Sequence, residues 1–244
     1  MAQNPVFNEK TLRKLTDEGV LDEAKTMTIN GSINKAGILL VLMTLTSAYS
    51  SSIADSEFGL ALMVGSVFVN LVLAFVLIFN RQLAPTLAPV YALVEGLSIG
   101  AVSAWANRSY PGIVSNAMIL TFSCLALMIG LYHYQIVRVT ERFRSVLLAA
   151  TLAITFTYLI NLGLMFFGLS IPMIHSSGPY GIAFSVVVVA VAAFNLLLDF
   201  DTIERAAAQR APKYMEWYAG FAVLVTLVWL YLEILRLLGK MSKK

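Results

Sequence analysis

The chain has one cysteine, Cys124, and two histidines, His133 and His175, among 244 residues. A single thiol excludes an internal disulfide framework and any CxxC metal or redox site. The histidines sit in different segments without neighbouring ligands, which argues against a metal centre. Charge is scarce too: Asp, Glu, Lys and Arg make up 13% of the residues, about half the share in a soluble domain. There is no Gly-rich phosphate loop, no GxSxG nucleophile elbow and no evident Ser/His pairing. We therefore expect no catalytic residues, metal ligands or cofactor, and no enzyme. The formal charge of +3 is not a nucleic-acid footprint, because the positive residues cluster between apolar runs, where membrane topology accounts for them.

What is abundant is apolar: 59% of the residues are hydrophobic and the mean hydropathy is +0.79. The expected fold is all-α, a polytopic protein whose first partner is the lipid bilayer. Seven apolar blocks can be drawn at 36–54, 58–80, 84–106, 112–135, 146–168, 180–200 and 215–239, each close to the roughly 20 residues that span a bilayer. Short connections join them, with Pro111-Gly112 and Gly178-Pro179 as turn signals. Residues 1–34 carry both charge signs and are too polar for a signal peptide. They read as a cytosolic N-terminal segment, and 35–244 as a seven-helix transmembrane domain.

Lys and Arg in short loops set orientation. With the N-terminus inside, the inner segments hold Lys10, Arg13, Lys14, Lys25 and Lys35, then Arg81, then Arg138, Arg142 and Arg144, then Arg205, Arg210 and Lys213. The outer loops hold Arg108 alone. The tail, with Arg236, Lys240, Lys243 and Lys244, breaks the pattern if the last block crosses.

Glu95 lies in the middle of the third block. A carboxylate at that depth costs roughly 3 kcal/mol on insertion scales and is normally turned toward a partner or a water-filled cavity. It is either an ion or proton site or a neutral carboxyl hydrogen-bonded inside the bundle. Tyr91, Glu95 and Ser98 share one helical face, and Gly96 and Gly100 form a small-xxx-small pair that admits a second helix. At the end of the sixth block Asn195, Asp199 and Thr202 form one polar face, while Asp201 points elsewhere and needs its own partner. Arg81 is a candidate for that partner, or else an ordinary anchor at the interface. In the seventh block Thr226 and Glu233 lie on one face, with Arg236 three residues beyond Glu233.

The segments Met27-Thr-Ile-Asn-Gly31-Ser-Ile-Asn34-Lys35, Glu95-Gly96-Leu-Ser-Ile-Gly100, Phe200-Asp201-Thr202 and Ala211-Pro-Lys213-Tyr-Met-Glu216-Trp-Tyr218, in that order, resemble the bacterial branch of the Bax inhibitor / YccA-like family. The resemblance implies six helices around a central hydrophobic seventh, in a bacterial plasma membrane with the N-terminus cytoplasmic. It implies a pH-sensitive leak for calcium or other ions, protons included, in which an aspartate ending the sixth helix pairs with one in the seventh and a basic residue of the second helix engages the first. The match puts the first aspartate at Asp201 and the basic residue at Arg81; the second should fall about 25 positions on, where this chain has Thr226. Asp199, Glu216 and Glu233 are spare acids. The family's other theme is a non-catalytic partner that modulates a membrane-bound ATP-dependent protease.

Overall fold

The computed structural model describes residues 26–169 and 171–243. The charged segment before Thr26, including Lys10, Arg13, Lys14 and Lys25, lies outside the described residues, as do Lys244 and the side chain of His175. Among the described residues seven helices are long and apolar enough to cross a membrane. They are α1 (Ile29–Ile53), α2 (Glu57–Phe79), α3 (Ala84–Ser109), α4 (Ile113–His133), α5 (Glu141–Met165), α6 (Pro179–Ala208) and α7 (Met215–Ser242). A single 3-10 turn, Arg81–Leu83, joins α2 to α3, and one helical turn, Pro172–His175, sits between α5 and α6.

Several helices overrun the apolar blocks, because hydropathy marks the lipid-facing stretch and not the ends of the hydrogen-bond ladder. α1 starts at Ile29, in the polar sequence before Lys35, since the Thr28 hydroxyl caps it by accepting from the Gly31 amide at 3.0 Å. Thr140 does the same for α5, accepting from the Phe143 amide at 3.2 Å. α6 continues through its charged end to Ala208. Prolines in the first turns of α3 and α6 occupy positions where their missing N–H is no loss.

α7 is the axis. It packs against α1, α3, α4 and α6, while α2 leans on α3 and α5 on α6. Leu196 and Leu197 of α6 and Leu224 and Leu230 of α7 are among the fully buried side chains. The outer wall is apolar, with Phe68, Leu71, Phe75 and Phe156 exposed where lipid would stand. The closest helix pair is α1 with α3, and Gly96 and Gly100 make it possible. A Cβ on Gly96 would fall 1.9 Å from Thr46 Oγ1, and one on Gly100 would fall 2.2 Å from the Ser47 carbonyl oxygen. Ser50 Oγ donates to the Leu97 carbonyl at 2.6 Å across the same contact.

α6 and α7 run antiparallel along their whole length. At one end the Met27 amide donates to the Ala211 carbonyl in their connection, at 2.7 Å; at the other, Lys240 Nζ donates to the Gly181 carbonyl at 2.9 Å. Twenty-eight residues rise about 42 Å, more than the roughly 30 Å hydrocarbon core. The final helix is therefore long enough to cross fully, and its basic end stands where α6 begins. Apart from Arg108, which pairs with Asp55 at the same end, the other described cations gather at the opposite end. Lys35 lies over the Trp217 ring at 4.8 Å, and Lys213 pairs with Glu216 at 2.9 Å.

Candidate functional site: a polar seam beside the central helix

At the end of α6 the Asp201 carboxylate, 13% exposed, is held between two guanidinium groups. Arg144, in the first turn of α5, donates to Oδ2, and Arg205 Nε, one helical turn on, approaches the same oxygen at 2.8 Å. Arg205 also reaches Glu141 at 3.1 Å, and the Tyr132 hydroxyl donates to Glu204. A cavity of about 370 Å³ opens here, lined by Asp201, Glu204, Arg205, Tyr132 and Arg138. The expected pairing of Asp201 with Arg81 is not formed. Arg81 lies over the Tyr218 ring at 5.3 Å. The reason is helix adjacency: α2 packs on α3 and reaches the start of α7, whereas α5 is the helix beside α6.

Thr226 meets Asp199, not Asp201. Its hydroxyl donates to its own helix at the Ala222 carbonyl, 3.2 Å away, and faces the Asp199 carboxyl. The other Asp199 oxygen, Oδ2, is buried without a hydrogen-bond partner. Thr202, expected on the same inward face, is exposed and donates to the Leu198 carbonyl at 2.7 Å. Asn195 does turn inward, donating to Thr151 Oγ1 of α5 at 2.9 Å.

Further along, Glu233 is 2% exposed and fully engaged. Its Oε1 accepts from the Tyr158 hydroxyl at 3.0 Å and from Arg236 Nη1 at 2.7 Å, with the guanidinium 4.9 Å over the Tyr158 ring. Beyond it, Lys240 Nζ is buried and donates to Ser185 Oγ at 2.8 Å. Asp201, Asp199 with Thr226, Asn195 with Thr151, Glu233 with Tyr158, and Lys240 with Ser185 thus form a polar seam from one end of the bundle to the other, where α5, α6 and α7 meet. The α5 contribution escaped sequence reasoning. Arg144, Thr151 and Tyr158 recur every seven residues, a spacing that keeps them on one helical face.

Glu95 is not part of this seam. It sits between α3 and α2, where Asn70 Nδ2 donates to Oε2 and Tyr91 lies close by. One turn away Ser98 and Ser66 share a buried hydrogen bond of 2.6 Å. Tyr91 meets Phe221 of α7 edge-on, with ring centroids 4.8 Å apart. Glu95 is therefore a hydrogen-bonded carboxyl in a helix interface, with Asn70 Oδ1 buried and unpartnered beside it.

Glu216, the acid at the start of α7, is 1% exposed and clasps the start of α1. Its Oε1 accepts from the Thr28 amide at 3.0 Å and the Thr28 hydroxyl at 2.9 Å. A Cβ on Gly31 would stand 2.0 Å from that oxygen, which explains why glycine occupies the first turn of α1. Two of the sequence segments that carry the family resemblance are thus in direct contact.

Among the described residues no group of three or more His, Cys, Asp or Glu is placed to hold a metal ion. A comparison with curated proteins finds no match. A family model described as Bax inhibitor 1 like matches residues 4–243, nearly the whole chain. With seven spanning helices and this match, the chain is a multi-pass membrane protein that belongs to the Bax inhibitor 1 like family.

Proposed function

We propose that the chain is a non-enzymatic ion leak of a bacterial plasma membrane, with its N-terminus in the cytoplasm, passing calcium or protons in a pH-sensitive way along the α5–α6–α7 seam. The observation that carries the reading is the carboxylate pair at the seam's cytoplasmic mouth. Asp201 is clamped by Arg144 and Arg205, and two residues deeper Asp199 keeps an oxygen without a partner. The clamp is the gate. Loss of the Asp201 charge would release both guanidinium groups and free the ends of α5 and α6 to separate. A state favoured by that release gains population in proportion. Flux should therefore rise as pH falls. Thr226 supplies a hydroxyl where a second carboxylate would complete an acid pair with Asp199, so calcium binds weakly and the pH response follows few groups. The orientation rests on the cations gathered at the end where α1 starts.

The test is flux from dye-loaded liposomes across pH. Asp201→Asn should flatten the pH dependence, and Thr226→Asp should strengthen the effect of calcium. No flux in the parent or either variant, with folding confirmed, would sink the leak. The same Thr226 favours a second reading, a non-catalytic modulator of a membrane-bound ATP-dependent protease. That reading gains if neutralising Asp199 and Asp201 leaves the cellular phenotype intact while deleting residues 1–25 abolishes it.

A further inference from the structure

A second cavity, of about 380 Å³, lies on another flank of α7, toward the end of the bundle where α1 stops and α4 starts. Its size falls in the lower range of small-ligand sites, about 300–1,000 Å³. α3 and α7 form its floor through Ile99, Leu227 and Val228, each 7% exposed. α1 and α4 form its walls and barely touch one another. Ala48 of α1 and Met118 of α4 are exposed, so the cavity opens sideways between these two helices, within bilayer depth. Ser51, Asn107 and Ser115 stand at one end, near the helix termini; the other end stops at Leu40 and Phe122, where the hydroxyls of Thr44 and Thr121 are spent on their own helices at the Leu40 and Ala117 carbonyls.

Ser51 and Leu40 are eleven residues apart on α1, about 16 Å at 1.5 Å per residue. The cavity is thus a long slot of small volume, the shape that an extended hydrocarbon chain fills. A partner helix, about 10 Å across, does not fit such a slot. The deep hydroxyls of Ser103 and Tyr231 bond to each other at 2.7 Å and call for no water. Left empty, the slot would forfeit dispersion contacts on the face of the central helix.

We propose that this slot holds one acyl chain of a membrane glycerophospholipid. Its ester lies at Ser51, Asn107 and Ser115, and its methylenes run along Ile99, Leu227 and Val228. The site depends on the chain's place in the bilayer and is independent of any leak.

The test reconstitutes the full chain in vesicles of phosphatidylcholine carrying a photoactivatable diazirine in mid-chain, then maps adducts after irradiation. Adducts are expected on Leu227 and Val228, which lipid surrounding the bundle cannot reach, as well as on outward residues such as Phe68. Ala48→Phe narrows the slot from the α1 wall and Ala104→Phe from the floor on α3, and each should bring the Leu227 and Val228 adducts to background while Phe68 labelling and monodispersity persist. A parallel arm uses a photoactivatable free fatty acid in unlabelled vesicles. Floor labelling by the free acid but not by the phospholipid overturns the assignment. So does an absence of floor adducts in the parent, cross-linking to a second copy through the slot, or floor labelling that survives both narrowing variants.

Discussion

The clasp between Glu216 and α1 can be measured as a sign reversal. Glu216→Ala removes the acceptor of the Thr28 amide and hydroxyl; Thr28 itself is exposed and can rehydrate, so the two bonds together are worth about 1–3 kcal/mol, at about 0.5–1.5 kcal/mol each. Lys213, whose side chain is 48% exposed, rehydrates, so losing its ion pair adds at most about 1 kcal/mol. The expected loss is about 1–4 kcal/mol. Gly31→Ala in the parent drives a methyl group to 2.0 Å from Glu216 Oε1, which is held by three donors and has nowhere to retreat, so it destabilises. In the Glu216→Ala background that obstacle is gone. Alanine then recovers about 0.8–1 kcal/mol of helix propensity over glycine, and the same substitution should stabilise. Unfolding of the four proteins in detergent gives the coupling, which for touching residues runs to about 0.5–3 kcal/mol. If Gly31→Ala destabilises by the same amount in both backgrounds, the clasp as described is wrong.

At the α1–α3 contact, Gly100→Leu should abolish the folded, monodisperse species on size-exclusion chromatography. Gly96→Ala should damage it less because it adds a single methyl group, but it should still destabilise, since that methyl meets both Thr46 Oγ1 and the Met43 carbonyl. Glu95→Gln keeps an acceptor for Asn70 and should melt like the parent, whereas Glu95→Lys sets an ammonium against the Asn70 amide and should melt lower; equal melting of the two variants would place Glu95 elsewhere. Reporter fusions after Lys35 and Lys213 should read cytoplasmic and those after Arg108 and Lys243 external, and a cytoplasmic signal after Arg108 would overturn the orientation.

The seven spans were legible because an unbroken apolar run of bilayer length has few other uses. That some helix approaches α3 closely was legible in Gly96 and Gly100, since small residues four apart remove bulk from one helical face; that it is α1 was not. Contacts between helices were not. The assignment of Thr226 opposite Asp201 counted residues along the chain, but the register of α7 against α6 is set by side-chain packing around Leu196, Leu197 and Leu230, and it brings Thr226 to Asp199. Arg81 was the candidate for Asp201, and Arg144 counted only as an inner-side cation, although both stand at a helix terminus at the same end of the bundle. Which helix stands beside α6 decided between them, and no local pattern encodes that. The polar start of α1 read as a loop because its stabiliser, Glu216, lies 188 residues away.

The clasp also bears on how the protein is made. α7 follows the other six spans out of the ribosome, and it carries Glu216, Glu233, Arg236 and Lys240 into the bilayer. Each acid or ammonium among them that ends up buried has at least one partner on a segment made earlier: Thr28 before α1, Tyr158 on α5, Ser185 on α6. A nascent bundle of six helices thus holds a set of unspent donors and acceptors around a missing axis. The last helix enters a prepared socket, and a chain cut short before it would present that socket to the cell's membrane quality control.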